Sequence, residues 1–162
     1  MVEEQHVQLS ELAAQPMVSI RATIPVARLG ETMGERIRVL SQFLNENRAT
    51  PAGPPFVRYH TFGDTETDME FGVPVIEPLA GDGQIVGGEL AAGTVLTTWH
   101  VGAPERLGEA YDRIEKWRVE NGRESAGPAR EVYHWIDLGA PDQSASPTDP
   151  SSWRIELVQP II

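Results

Sequence analysis

The residues best placed to do chemistry lie in Arg130-Glu131-Val132-Tyr133-His134-Trp135-Ile136, a β-branched and aromatic run interrupted by a carboxylate. Such residues favour a pleated strand, whose side chains alternate between two faces. Glu131, Tyr133 and Trp135 then share one face, and Val132, His134 and Ile136 take the other. An acid between rings suits an organic cation, because the carboxylate supplies the counter-charge and each ring face adds roughly 0.5–2 kcal/mol. Burial against those rings would raise the carboxyl pKa, which also suits a general base. The plainer alternative is an edge acid paired with Arg130 or Arg154, with its aromatic neighbours in the core.

The elements that must position this run follow from periodicity and turn residues. Val7, Leu9 and Leu12 suggest a leading strand closed by Pro16, and Met17 to Ile24 a second strand ended by Pro25. From Gly30 to Asn47, Met33, Ile37, Leu40 and Leu44 stack on one helical face. Phe56 to His60 and Thr67 to Ile76 read as a hairpin, with Met69, Phe71 and Val73 on one side. Gly81-Asp82-Gly83 and Gly87-Gly88 read as a linker, without the spacing of a dinucleotide fingerprint. Leu90 to Val101 is then a strand, Pro104 to Asn121 a helix capped by Gly122, Arg130 to Ile136 a strand, and Trp153 to Ile161 the last. Asp137 to Ser152, with Pro141, Pro147 and Pro150, reads as a long loop beside a cleft.

Three echoes point to duplication. Arg28-Leu29-Gly30-Glu31 recurs as Arg106-Leu107-Gly108-Glu109, offset by 78 (106 minus 28). Tyr59-His60 recurs as Tyr133-His134, offset by 74 (133 minus 59), and Glu70 before Pro74 recurs as Glu156 before Pro160, offset by 86 (156 minus 70). The expected fold class is therefore α+β: a single domain over 1–162, built as a tandem pseudo-two-fold repeat of strand-helix-strand-strand units at about 17–80 and 88–162. Its antiparallel sheets would carry helices on one face and leave a ligand cleft between the repeats.

Composition narrows the classes. The chain has 162 residues, enough for a sizeable core, and a formal charge of −11 that disfavours phosphate and nucleic-acid binding and favours cationic or neutral partners. Absence of cysteine removes thiolate nucleophiles, zinc-thiolate sites and disulfides. No secretory signal and no long apolar span is read, so the expected location is cytoplasmic, without membrane contact. His60, His100 and His134 lack a tight ligand spacing, so no metal is expected, and no cofactor motif stands out. Neither a Gly-x-Ser-x-Gly elbow nor a phosphate-binding glycine-lysine loop occurs.

The order strand-helix-strand-strand twice over, with Glu70-Phe71-Gly72-Val73-Pro74-Val75, Ala92-Gly93, His100-Val101-Gly102, Tyr111 and Trp117, Glu131-Val132-Tyr133, and a closing Glu156 with Pro160-Ile161, resembles the GyrI-like small-molecule-binding domain. That module also serves as the effector-binding domain of AraC-type and MerR-type multidrug regulators. The resemblance spans about Met17 to Ile162 and implies an inter-repeat cleft, lined by aromatics around glutamate, for bulky and often cationic molecules. Stand-alone members include gyrase-protecting proteins and hydrolases of cyclopropane-bearing genotoxins. This chain departs from the pattern: no helix-turn-helix precedes the domain, Gly102-Ala103-Pro104-Glu105 replaces a Gly-Pro-Tyr, and His134 stands where the regulators place an acid after the tyrosine.

The expected ligand-binding residues are Tyr59, Glu70, Phe71, Trp99, Tyr111, Glu131, Tyr133, Trp135 and Glu156. The first reading is capture of hydrophobic, cationic or planar small molecules. A second is a cofactor-independent hydrolase of strained or electrophilic natural products, with Glu131 as base and Tyr133 as hydrogen-bond partner. A third is a protein partner such as gyrase or a regulator.

Overall fold

The computed structural model describes residues 6–102, 106–136, 138 and 153–162. Among these residues the fold is α+β: two α-helices and one eight-stranded antiparallel sheet. In chain order the elements are β1 (Gln8–Leu12), β2 (Gln15–Pro25), α1 (Leu29–Glu46), β3 (Phe56–Phe62), β4 (Glu66–Pro74), β5 (Val86–Leu90), β6 (Gly93–Val101), α2 (Gly108–Glu120), β7 (Arg130–Tyr133) and β8 (Arg154–Pro160). Pro104 and the stretch Asp137 to Ser152, Leu138 excepted, lie outside the described residues, so the expected helix start and long loop are not assessed.

The strands lie in the order β1-β6-β8-β7-β3-β4-β2-β5. The small sheets expected from sequence are joined, because the central strands β3 and β7 pair antiparallel through Phe56–Val132, Val57–Glu131 and Arg58–Arg130. Pairing these two edges satisfies backbone groups that would otherwise stay open. β1 and β2 are linked by Ala13 and Ala14 alone, a reach of roughly 11 Å, yet they pair at opposite ends of the sheet, β1 with β6 and β2 with β5. The sheet therefore curls into a half-barrel.

Three expectations need correction. The glycine-rich stretch read as a linker contains β5, whose Val86 to Leu90 pair with Ser19 to Gln15 of β2. Glycine is needed there because a Cβ on Gly87 would lie 2.0 Å from the Leu79 carbonyl oxygen. Pro16 does not close a strand; it sits inside β2 opposite Glu89. The expected strand 130–136 also stops early, since β7 ends at Tyr133 and the Ile136 amide turns back to the Tyr133 carbonyl.

Both helices cover one face. α1 buries Leu40, Phe43 and Leu44 and contacts β2 and β4. α2 buries Ala110 and Ile114 and contacts β6 and β8. Beneath them lie Val18, Ile20, Met69, Phe71, Val57, Ile155 and Leu157, all at most 2% exposed. The opposite face carries a smaller apolar cluster of Met17, Phe56, Leu90 and Val132. Gly72 makes room for it: an added Cβ would meet the Phe56 ring at 2.6 Å.

Register matches across the two halves. Val86 faces Ser19 as Gln8 faces Thr97: Thr97 lies 78 residues after Ser19, and Val86 lies 78 after Gln8. Glu70 lies between Arg21 and Arg58, while Glu156 lies between Trp99 and Val132. These positions differ by 86, 78 and 74, the offsets read from sequence. At the central seam, Val57 faces Glu131, and these two are themselves 74 apart (131 minus 57).

Candidate functional site

A row of paired residues crosses the helix-covered face: Ile20, Phe71, Val57, Glu131, Leu157 and Thr98. Glu131 is the one ionisable member, placed at the middle by the β3–β7 register and only 6% exposed. A lone carboxylate among apolar neighbours requires hydrogen-bond donors. Tyr111, from α2, donates its hydroxyl to Oε2 at 2.5 Å, and Tyr133, two residues along β7, donates to Oε1 at 2.7 Å. Tyr59, half-buried on β3, stands close enough for the Glu131 charge to hold its phenol above the ordinary range, after burial as the larger cause. Burial and the carboxylate push up the Tyr111 and Tyr133 phenols too, so both remain protonated donors.

Burial pushes the Glu131 carboxyl above its usual range, and the two phenol hydrogen bonds offset only part of that. Among the described residues Glu131 has no ion pair. Among the described residues the site thus holds a desolvated acid supported only by neutral donors. It extends along an aromatic ladder: Tyr133 meets Trp135 edge-on at 5.2 Å, and Trp135 stacks on Trp153 at 4.7 Å with planes within 1°. These rings provide flat, electron-rich faces beside the acid.

The structure divides the nine expected residues between the two faces. Tyr59, Phe71, Tyr111, Glu131, Tyr133 and Trp135 pack on the helix side, although Phe71, within the row, is fully buried. Glu70, Trp99 and Glu156 take the other face. There Glu70 accepts hydrogen bonds from Ser19 at 2.7 Å, Arg58 at 3.0 Å and His60 at 2.9 Å. Burial alone would raise its carboxyl, but these three partners outweigh it and hold Glu70 below the usual range. Glu156 meets His134 at 3.0 Å, and His134 packs on Trp99, whose ring also meets the Arg154 guanidinium at 4.7 Å. His60 and His134 thus serve separate glutamates. Among the described residues no group of His, Asp and Glu is arranged to hold a metal.

Sequence reasoning passed over Trp153 as a site residue and Val57 as the partner of Glu131. The first has a signal, an aromatic immediately before the last strand; the second emerges only from inter-strand register.

A scan against family profiles matches residues 5–158 to the GyrI-like small molecule binding domain. The chain belongs to the GyrI-like family. Among solved structures, the GyrI-like fold recurs in the C-terminal domain of EcmrR, with TM-score 0.76, 22% identity, and coverage of 97% of each chain. It recurs also in EcmrR bound to DNA, with TM-score 0.79 and 22% identity over 96% of this chain, which spans 57% of that longer one. SAV2435 bound to tetraphenylphosphonium matches with TM-score 0.63 and 14% identity, covering 98% of this chain and 94% of that one. No curated protein matches the sequence. No helix among the described residues is long and apolar enough to cross a membrane.

Proposed function

We propose that this GyrI-like domain captures hydrophobic organic cations through Glu131, with Tyr59, Tyr111, Tyr133, Trp135 and Trp153 as its aromatic surroundings. The carrying observation is the buried Glu131 carboxylate, held by two phenols and paired with no cation among the described residues. A bound cation would replace lost hydration with direct counter-charge, and ring faces would add to it. SAV2435, which shares the fold, has tetraphenylphosphonium as its ligand, a large aromatic cation of this chemistry.

In this reading the chain is one domain over 1–162, and its two units, about 17–80 and 88–162, each gain a leading strand paired into the other half. The matching registers support a pseudo-dyad between Val57 and Glu131, which would put the cleft where the two helices flank the central seam. Tyr111 closes over Glu131 from α2, so entry of a bulky ligand requires that phenol to swing aside.

Calorimetric titration with tetraphenylphosphonium, against a neutral tetraphenyl analogue, tests the proposal. The cation should bind at least about tenfold tighter than the neutral compound, and Glu131→Gln should remove that preference. Equal affinity for the two compounds, or an unchanged preference in the variant, overturns it.

The raised carboxyl beside the Tyr133 hydroxyl favours a second reading: hydrolysis of an electrophile, with Glu131 taking a proton from the attacking water. Here product would accumulate, and Glu131→Gln would stop turnover while a neutral substrate still bound.

A further inference from the structure

The face opposite Glu131 encloses a cavity of its own, of about 470 Å³, within the usual size range of small-molecule sites. Every strand contributes to its wall, from Ser10 of β1 to Val158 of β8, because the sheet curls around it. Phe56, Leu90, Val132 and Val158 provide apolar walls. Arg130 also lines it, alternating along β7 with Glu131, so one strand presents an acid to one face and a base to the other.

Arg130 is half-buried, and among the described residues its guanidinium has no hydrogen bond and no ion pair. Its cross-strand neighbour is Arg58, a like charge already committed to Glu70 at 2.8 Å. Two facing cations in a partly desolvated site are unfavourable unless an anion joins them. Burial and then Arg58 pull the Arg130 pKa down, and the nearby Glu156 carboxylate offsets only part of that. Glu156 lines the same cavity, but it faces Val132 rather than Arg130 and accepts its hydrogen bond from His134.

We propose that the half-barrel cavity is a second ligand site, which takes a monoanionic organic acid, its carboxylate on the Arg130 guanidinium and its apolar body against Phe56, Val132 and Val158. The guanidinium fork matches a carboxylate with two parallel N–H···O bonds, a geometry open to it because its donors are unused among the described residues. The Glu156 carboxylate repels a second negative charge, so dianions are excluded. The site is independent of Glu131, on the other side of the sheet.

Naphthalene carboxylate, the matching carboxamide and naphthylmethylammonium are the probes, followed by amide chemical shifts and calorimetry on the whole chain. The carboxylate should move the amides of Thr97, Val132 and Val158 in the wild type and bind at least about tenfold tighter than the carboxamide. Arg130→Met should remove that preference, whereas Glu131→Gln should leave it intact. Shifts confined to the helix side, loss of binding in Glu131→Gln, or a preference for the ammonium compound at this cavity would each overturn the proposal. The wild-type shift map decides the matter even if Arg130→Met fails to fold.

Discussion

The two halves of this GyrI-like domain use matching positions for different ends. In the first, Glu70 is fully partnered by Ser19, Arg58 and His60, so its charge stabilises the sheet. In the second, the matching Glu156 keeps His134, while Val132 stands where Arg58 would be. Across the seam, apolar Val57 faces Glu131, which has phenols for company and no cation among the described residues. A near-symmetric frame can thus hold one acid paired with cationic partners and another that, among the described residues, is held by phenols alone.

Making the seam symmetric gives the largest expected effect. Val57→Glu puts a second carboxyl opposite Glu131 at a fully buried position, and should destabilise the fold by more than about 3 kcal/mol. Chemical denaturation would report it, and a small loss would mean that the seam is wetter than its burial indicates. Removing the acid from the satisfied half comes next: Glu70→Gln leaves Arg58 short of its partner and should lower stability by about 2–4 kcal/mol.

The third contrast lies in pH. Glu70 is held below the ordinary 4.5, so its stabilising contribution is full above that value and is lost as pH falls through its lower folded pKa. Glu131 is raised above 4.5, so its contribution is full below that value and is lost as pH rises through its higher folded pKa. Glu70→Gln should flatten the acid limb of a stability profile and Glu131→Gln the opposite limb, with Glu131→Gln more stable than wild type at neutral pH by roughly 1 kcal/mol. If the two variants alter the same limb, the proposed difference between the acids fails.

The smallest effect concerns the helix ends. α1 and α2 finish alike, with Asn47 and Asn121 each donating a side-chain N–H to the carbonyl four residues back, both at 2.8 Å. The next residue is left-handed in each case, Arg48 at φ 52° and Gly122 at φ 62°. Glycine adopts that conformation without strain and arginine does not. Arg48→Gly should therefore raise stability by about 1 kcal/mol and Gly122→Ala lower it by a similar amount, as shifts in the denaturation midpoint.

Much of the molecule was legible in the chain. Helix periodicity through Leu40 and Leu44, the hairpin of β3 and β4, and the glycine cap at Gly122 are local signals, and each is realised. The Arg28–Glu31 and Arg106–Glu109 echoes turn out to be the same exposed ion pair at the same place on both helices. The expected grouping of Glu70, Trp99 and Glu156 with Glu131 illustrates the limit. Period-two alternation assigns residues to two faces, but it does not say which faces of different strands coincide.

By itself the sequence determined most of the element types and the presence of an acid between aromatic residues, because propensity and periodicity act over a few neighbours. Tertiary structure decided that β3 and β7 join one sheet, that β1 and β5 close its ends, and that Glu131 meets Tyr111 while Arg130 faces the half-barrel cavity. Those outcomes depend on register between strands far apart in the chain, where a shift of one residue would exchange the two faces.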